Sequence, residues 1–145
     1  MSPYYMSIKV KSTAVAIATV STVLSYSVPS QAGEYKYLYE LKKTAEHVSQ
    51  QEGVNRYLDN LSVSEKLKYG KQHCKLLEHL SIKEILKLLK EMADGYLQEG
   101  MHDQLVQDSY KAEVAMLYAS AKGLCPEYEY KLDNFMSENL EEEEN

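Results

Sequence analysis

Gly70-Lys71-Gln72-His73-Cys74-Lys75-Leu76-Leu77 decides how this chain is built, together with a distant partner, Ala121-Lys122-Gly123-Leu124-Cys125-Pro126. The two stretches hold the 2 cysteines of the 145-residue sequence. Leu67, Gly70, Cys74 and Leu77 recur at helical spacing, so Cys74 is expected on the buried line of a helix. Gly70 on that line costs about 1 kcal/mol against alanine, which points to a neighbouring backbone passing close by. Cys125 follows a helix end: Gly123 suits the cap position and Pro126 forbids continuation. Two cysteines in an exported chain pair, because the compartment is oxidising. The predicted bridge, Cys74–Cys125, ties a helix middle to a helix end. No Cys-x-x-Cys is present, which argues against redox chemistry.

Export is read from the first 32 residues. Lys9 and Lys11 precede an uncharged, mostly small or apolar run from Ser12 to Leu24, which Pro29 breaks. Ser30-Gln31-Ala32 then places small residues ahead of Gly33, the pattern of a signal peptide over 1–32 cleaved at Ala32-Gly33. The alternative is an uncleaved anchor, but serine and threonine dilute the run below what a span of about 20 residues needs. A periplasmic or extracellular location follows.

The rest of the chain reads as helices. Leu38, Leu41, Ala45 and Val48 form one face over 34–51, inside an N-terminal helical extension at 33–56. A short helix follows with Val54, Tyr57, Leu58 and Leu61. Ser62 with Glu65, and Ser81 with Glu84, have the spacing of capping boxes that restart the chain as helix. Ile82, Ile85, Leu86, Leu89, Met92 and Ala93 line the inner face of the next helix, which Asp94-Gly95 is expected to end, leaving a loop over 95–103. A long helix over 103–122 carries two stripes, Leu105, Ala112, Met116 and Ala119 beside Val106, Tyr110, Leu117 and Ala121. A stripe so wide predicts a central helix contacted on more than one side. Beyond Pro126, Tyr128, Leu132, Phe135, Met136 and Leu140 keep loose helical spacing. Residues 129–145 nevertheless form an acidic tail whose run Glu141-Glu142-Glu143-Glu144 repels itself and is expected to be disordered. The fold class is therefore all-α, four to five helices stapled by one disulfide.

Gly70-x-x-x-Cys74 with Leu77, Ser81 opening an amphipathic helix, and Ala115 and Ala119 ahead of Cys125-Pro126-x-Tyr128 resemble the DUF732 family of small secreted bacterial proteins. The resemblance covers about residues 57–128. Leu124 stands where the family carries an aromatic ring before its second cysteine. The likeness implies a helical domain with paired cysteines and export, and no activity.

Charge narrows the function classes. The formal net charge is −6, which repels nucleic-acid phosphates. Residues 65–90 hold seven lysines against three glutamates, and residues 91–145 hold three lysines against fourteen acids. Lys68, Lys71 and Lys75, with Lys83, Lys87 and Lys90, make two stripes that are either solvated helix faces or a basic patch for an acidic partner, the glutamate tail included. Tyrosine occurs 13 times against a single phenylalanine, Phe135, and no tryptophan, so most aromatic area has a polar tip and is expected half-buried. His47, His73, His79 and His102 show no ligand spacing and are expected exposed or partly buried, so neither a metal nor another cofactor is implied. No Gly-x-Ser-x-Gly turn or phosphate-binding glycine loop is present, and an enzyme is not expected. The expected role is a binding or structural module of the bacterial envelope or exterior, its partner unspecified, with membrane attachment only through an uncleaved export segment. The alternatives are a carrier or sensor of a small apolar ligand or ion, using Met92, Met116, Tyr110 and Tyr118, and, more remotely, an enzyme using His73 and the 95–103 loop.

Overall fold

A computed structural model describes residues 31–48 and 52–143. Among them are six α-helices: α1 (Gln31–Val48), α2 (Glu52–Asp59), α3 (Val63–His79), α4 (Ile82–Gln98), α5 (Asp103–Gly123) and α6 (Glu129–Glu143), with a 3₁₀ turn at Pro126–Tyr128. The described residues are all-helical, with no strand. The export segment lies outside them, apart from Gln31 and Ala32, which begin α1. No helix among the described residues is long and apolar enough to cross a membrane.

Both capping boxes form. Ser62 Oγ accepts from the Glu65 amide at 3.1 Å, and the Ser62 amide donates to Glu65 Oε2 at 2.7 Å. Ser81 and Glu84 repeat the arrangement at 3.2 and 2.8 Å. Hydrogen bonds from the backbone and then the hydroxyl of each serine hold the Glu65 and Glu84 carboxyls below their ordinary pKa. These caps start α3 and α4 where sequence places them. The end of α4 differs. The helix runs through Gly95 to Gln98, and the chain turns instead at Gly100, whose φ of 85° is left-handed. A glycine inside a helix is only mildly unfavourable, whereas a left-handed turn needs one. The loop thus shrinks to residues 99–102, and His102 Nδ1 caps α5 by accepting from the Gln104 amide at 3.3 Å.

Helix α5 is central, packed against α1, α2, α3, α4 and α6. One flank gathers Tyr37, Leu41 and Ala45 of α1 with Val54 and Leu58 of α2 around Ala112, Ala115, Met116 and Ala119. The other gathers Leu77 of α3 with Ile82, Ile85 and Leu89 of α4 around Leu117 and Ala121. Small residues along α5 let its neighbours approach on both sides. Leu105, expected on the inner stripe, is 40% exposed, while its neighbour Val106, on the flanking stripe, is buried at 1%.

Both terminal elements pack on the rest of the described residues. Helix α1 docks through Tyr37, which is fully buried and whose hydroxyl donates to the Lys66 carbonyl at 2.7 Å. Gly123 serves this contact instead of a left-handed cap: a Cβ there would lie 2.5 Å from the Tyr37 N and Cα. The acidic tail is helical over Glu129–Glu143, with Glu144 and Asn145 outside the described residues. Leu132 anchors it at 4% exposure, and Lys131 Nζ donates to the Leu77 and Leu80 carbonyls while lying 5.4 Å from the Tyr128 ring centroid. That ammonium satisfies orphan carbonyls at the end of α3. Further along α6, Met136 and Leu140 are exposed.

Candidate functional site

Cys74 and Cys125 are bonded, with an S–S distance of 2.08 Å and a Cα–Cα distance of 5.9 Å. The buried line of α3, however, runs through Gly70, His73 and Leu77, and Cys74 sits half-buried beside it. This rotation carries fully inward His73, which sequence leaves exposed or partly buried. His73 is 3% exposed, and its Nε2 lies 2.8 Å from Glu113 Oε2 on α5, itself 4% exposed. Two ionisable side chains that arrive from different helices thus meet at the centre of the bundle.

The pair is only half satisfied. His73 Nδ1 and Glu113 Oε1 are buried without a hydrogen-bond partner. With Glu113 ionised, His73 Nε2–H donates to it. With Glu113 protonated, the carboxylic O–H donates to the ring instead. Either way the two outer atoms stay unpartnered, an arrangement that native interiors seldom keep without a reason.

Glu113 also lines a half-open cleft between α2, α4 and α5. Tyr57 of α2, Tyr96 of α4 and Tyr110 of α5 supply aromatic walls, and Met92 and Ala93 complete the α4 side. Free volume within the cleft is about 20 Å³, room for roughly one water-sized group. Around it, burial and then the negative charge of Glu113 push the phenols of Tyr37, Tyr57 and Tyr69 above the ordinary tyrosine value. Burial, then Glu99, then Glu113 do the same to Tyr96. The Glu113 charge therefore reaches four aromatic residues.

Of the residues proposed for a carrier, Met92 and Tyr110 do line this cleft, but Met116 is fully buried in the α1 flank and Tyr118 packs in the α4 flank. The cleft is far smaller than the ~300 Å³ of a small-molecule site. His73 is not among the cleft walls and adjoins it only through Glu113. The lysines Lys68, Lys71, Lys75, Lys83, Lys87 and Lys90 are all exposed on α3 and α4. Lys71 meets Glu34 of α1 at 3.2 Å, a partly solvated pair of small energetic weight. His47, His79 and His102 are exposed, and no cluster suited to a metal ion exists among the described residues.

Sequence reasoning missed Glu113. The available signal was its place in Ala112-Glu113-Val114-Ala115, a charge inside the most apolar stretch of the longest helix. Its partner was not legible, because 40 positions separate it from His73. No family model, curated protein or solved structure matches the chain.

Proposed function

We propose that this chain is a small exported helical module of the DUF732 kind, without catalysis, that binds or braces a component of the bacterial envelope or exterior. The observation that carries the reading is the Cys74–Cys125 bridge, which belongs in an oxidising compartment. Two features support it. The core is filled, with Tyr37, Ile85, Met116 and Leu117 each fully buried, so work is left to the surface and to the small cleft beside Glu113. His73, the residue an enzyme would need, is shut behind Glu113.

The test is fractionation of the native host followed by intact mass with and without reductant. The expected product is recovered outside the cytoplasm, begins at Gly33, gains two mass units on reduction and resists thiol alkylation until reduced. A full-length cytoplasmic chain with both thiols open to alkylation would remove the reading.

A further inference from the structure

Among the described residues, the most exposed large apolar side chains are Tyr35 and Tyr39, at 74% and 65%. Both belong to α1, whose inner line of Tyr37, Leu41 and Ala45 is buried against the bundle. Positions four apart share a helix face, so the two rings stand together on the side turned away from the core. Lys36, Lys42 and Lys43 are exposed on that side, with Glu46 the acid among them and Glu40 half-buried at the margin. Three cations to one anion reverse the sign of a chain whose formal net charge is −6. The positive charge continues onto α3: Lys71 meets Glu34 of α1 at 3.2 Å, and Lys68 and Lys75 stand exposed one turn to either side of Lys71. The acids of α6 are remote from this face, because α6 packs on α4 and α5, on the flank of α5 opposite α1. A helix is about 10 Å across, a distance at which salt already screens exposed charges.

From this face and its place in the chain we propose that the outer side of α1 docks on an anionic membrane surface. Tyrosine rings with polar tips suit the headgroup level, and lysines beside them reach lipid phosphates, the composition of a helix that lies in an interface. Chain position is the second line of argument. Helix α1 begins at Gln31, close behind the apolar run Ser12–Leu24 that sequence assigns to export, so export brings this helix to a lipid surface. Docking of this kind needs no uncleaved segment, since both tyrosines and all three lysines lie beyond the expected cleavage point at Gly33. It leaves the core undisturbed, because none of the five is buried. The proposal deepens the binding-module reading and rests on it, since it names the envelope component that such a module meets.

The experiment sediments the oxidised protein, recovered from outside the cytoplasm, with vesicles of equal parts phosphatidylglycerol and phosphatidylcholine and with vesicles of phosphatidylcholine alone. The expected result is saturable binding to the first, about tenfold weaker on the second, and lost as added salt shortens the screening length. One lysine beside an anionic surface is worth about fivefold in affinity, so Lys42→Gln with Lys43→Gln should weaken binding about thirtyfold. Tyr35→Ser with Tyr39→Ser should weaken it about tenfold at unchanged helical circular dichroism. Lys83→Gln with Lys87→Gln removes the same charge from the exposed side of α4 and should cost less than about threefold. Nitroxide-labelled lipid should broaden the NMR ring signals of Tyr35 and Tyr39 ahead of those of Tyr130, which is exposed on α6. No binding to the anionic vesicles overturns the proposal, and so does an equal loss from the α4 pair. Binding that survives the α1 changes also overturns it, because the contact then lies elsewhere in the chain. A protein recovered oxidised from the exterior that ignores both kinds of vesicle retains the binding-module reading and loses the membrane as its partner.

Discussion

Tyr37 and Gly123 meet backbone to backbone. A Cβ placed on Gly123 would sit 2.5 Å from Tyr37 N and Cα, too close for any side chain, while the Tyr37 ring passes on to Gly70, where a Cβ would lie 2.8 Å from its Cζ. One tyrosine of α1 is thus gripped by glycines on two other helices. We expect Gly123→Ala to cost about 1–3 kcal/mol or more, because main chain must move to admit the methyl group. Gly70→Ala meets side chains instead of main chain, but it too should destabilise: the Leu124 Cδ1 tip at 2.5 Å can rotate away, whereas the Tyr37 ring at 2.8 Å is fully buried and pinned by its bond to the Lys66 carbonyl. Urea unfolding followed by circular dichroism measures both. A Gly123→Ala protein as stable as the parent would mean that α1 does not dock here.

The His73–Glu113 pair offers a second energetic test. Removing one member leaves the other buried with nothing to compensate it, so His73→Leu or Glu113→Leu alone should cost about 3–5 kcal/mol. Replacing both by leucine removes two unpartnered atoms along with the bond, and is expected to cost less than the sum of the single changes. A double-mutant cycle in urea measures the coupling. Additive losses would show that the two side chains do not act as a unit.

How much of this was legible in the sequence depends on which interactions are local. The capping boxes of Ser62 and Ser81 depend on neighbours three residues apart and are found where predicted. The centrality of α5 follows from the width of its apolar stripe, and the pairing of the cysteines from their number. Tyr37 escaped notice because its burial depends on Gly70 and Gly123, distant residues whose role is to be small. His73 escaped because a helical face was assigned through Cys74, one position away, and a rotation of about 100° per residue exchanges the two. Periodicity reports which residues are apolar, and a buried hydrogen-bonded pair of polar side chains is invisible to it. The contact that docks the C-terminal helix is hidden for a related reason: Lys131 caps α3 across 51–54 positions.

Alkaline pH should unfold the protein by way of its interior tyrosines. Burial first, and the charge of Glu113 second, raise the folded pKa of Tyr37 and Tyr57 above the ordinary 10.0. Their neutral forms therefore stabilise the fold fully below pH ~10, and that contribution falls as pH rises further, because the unfolded chain loses those protons first. Tyrosinate absorbance from these residues should appear together with loss of helical circular dichroism, not ahead of it. Tyr37→Phe forfeits the bond to the Lys66 carbonyl, about 1 kcal/mol near neutral pH, but should flatten the alkaline decline. An unchanged alkaline midpoint in Tyr37→Phe would show that other groups govern it.

The disulfide is expected to decide whether the bundle persists outside a cell. Its sulfurs close 51 positions of chain that contain the whole of α4 and α5. Constraining a loop of that size in the unfolded state stabilises the fold by about 4 kcal/mol. A domain this small has a net stability on the order of 5–15 kcal/mol, so reduction removes a large share of it. Replacing both Cys74 and Cys125 by serine should lower the urea midpoint to match, with the larger loss on the flank where Leu77, Ile82 and Ile85 meet Leu117. Hydrogen exchange would then show α3 and α4 opening before α1, whose hold on α5 through Tyr37 and Gly123 needs no sulfur. Equal loss of protection in α1 and α4 would mean that the two flanks of α5 unfold as one cooperative unit. A midpoint unmoved by the serine pair would mean that the helices hold together without their covalent link.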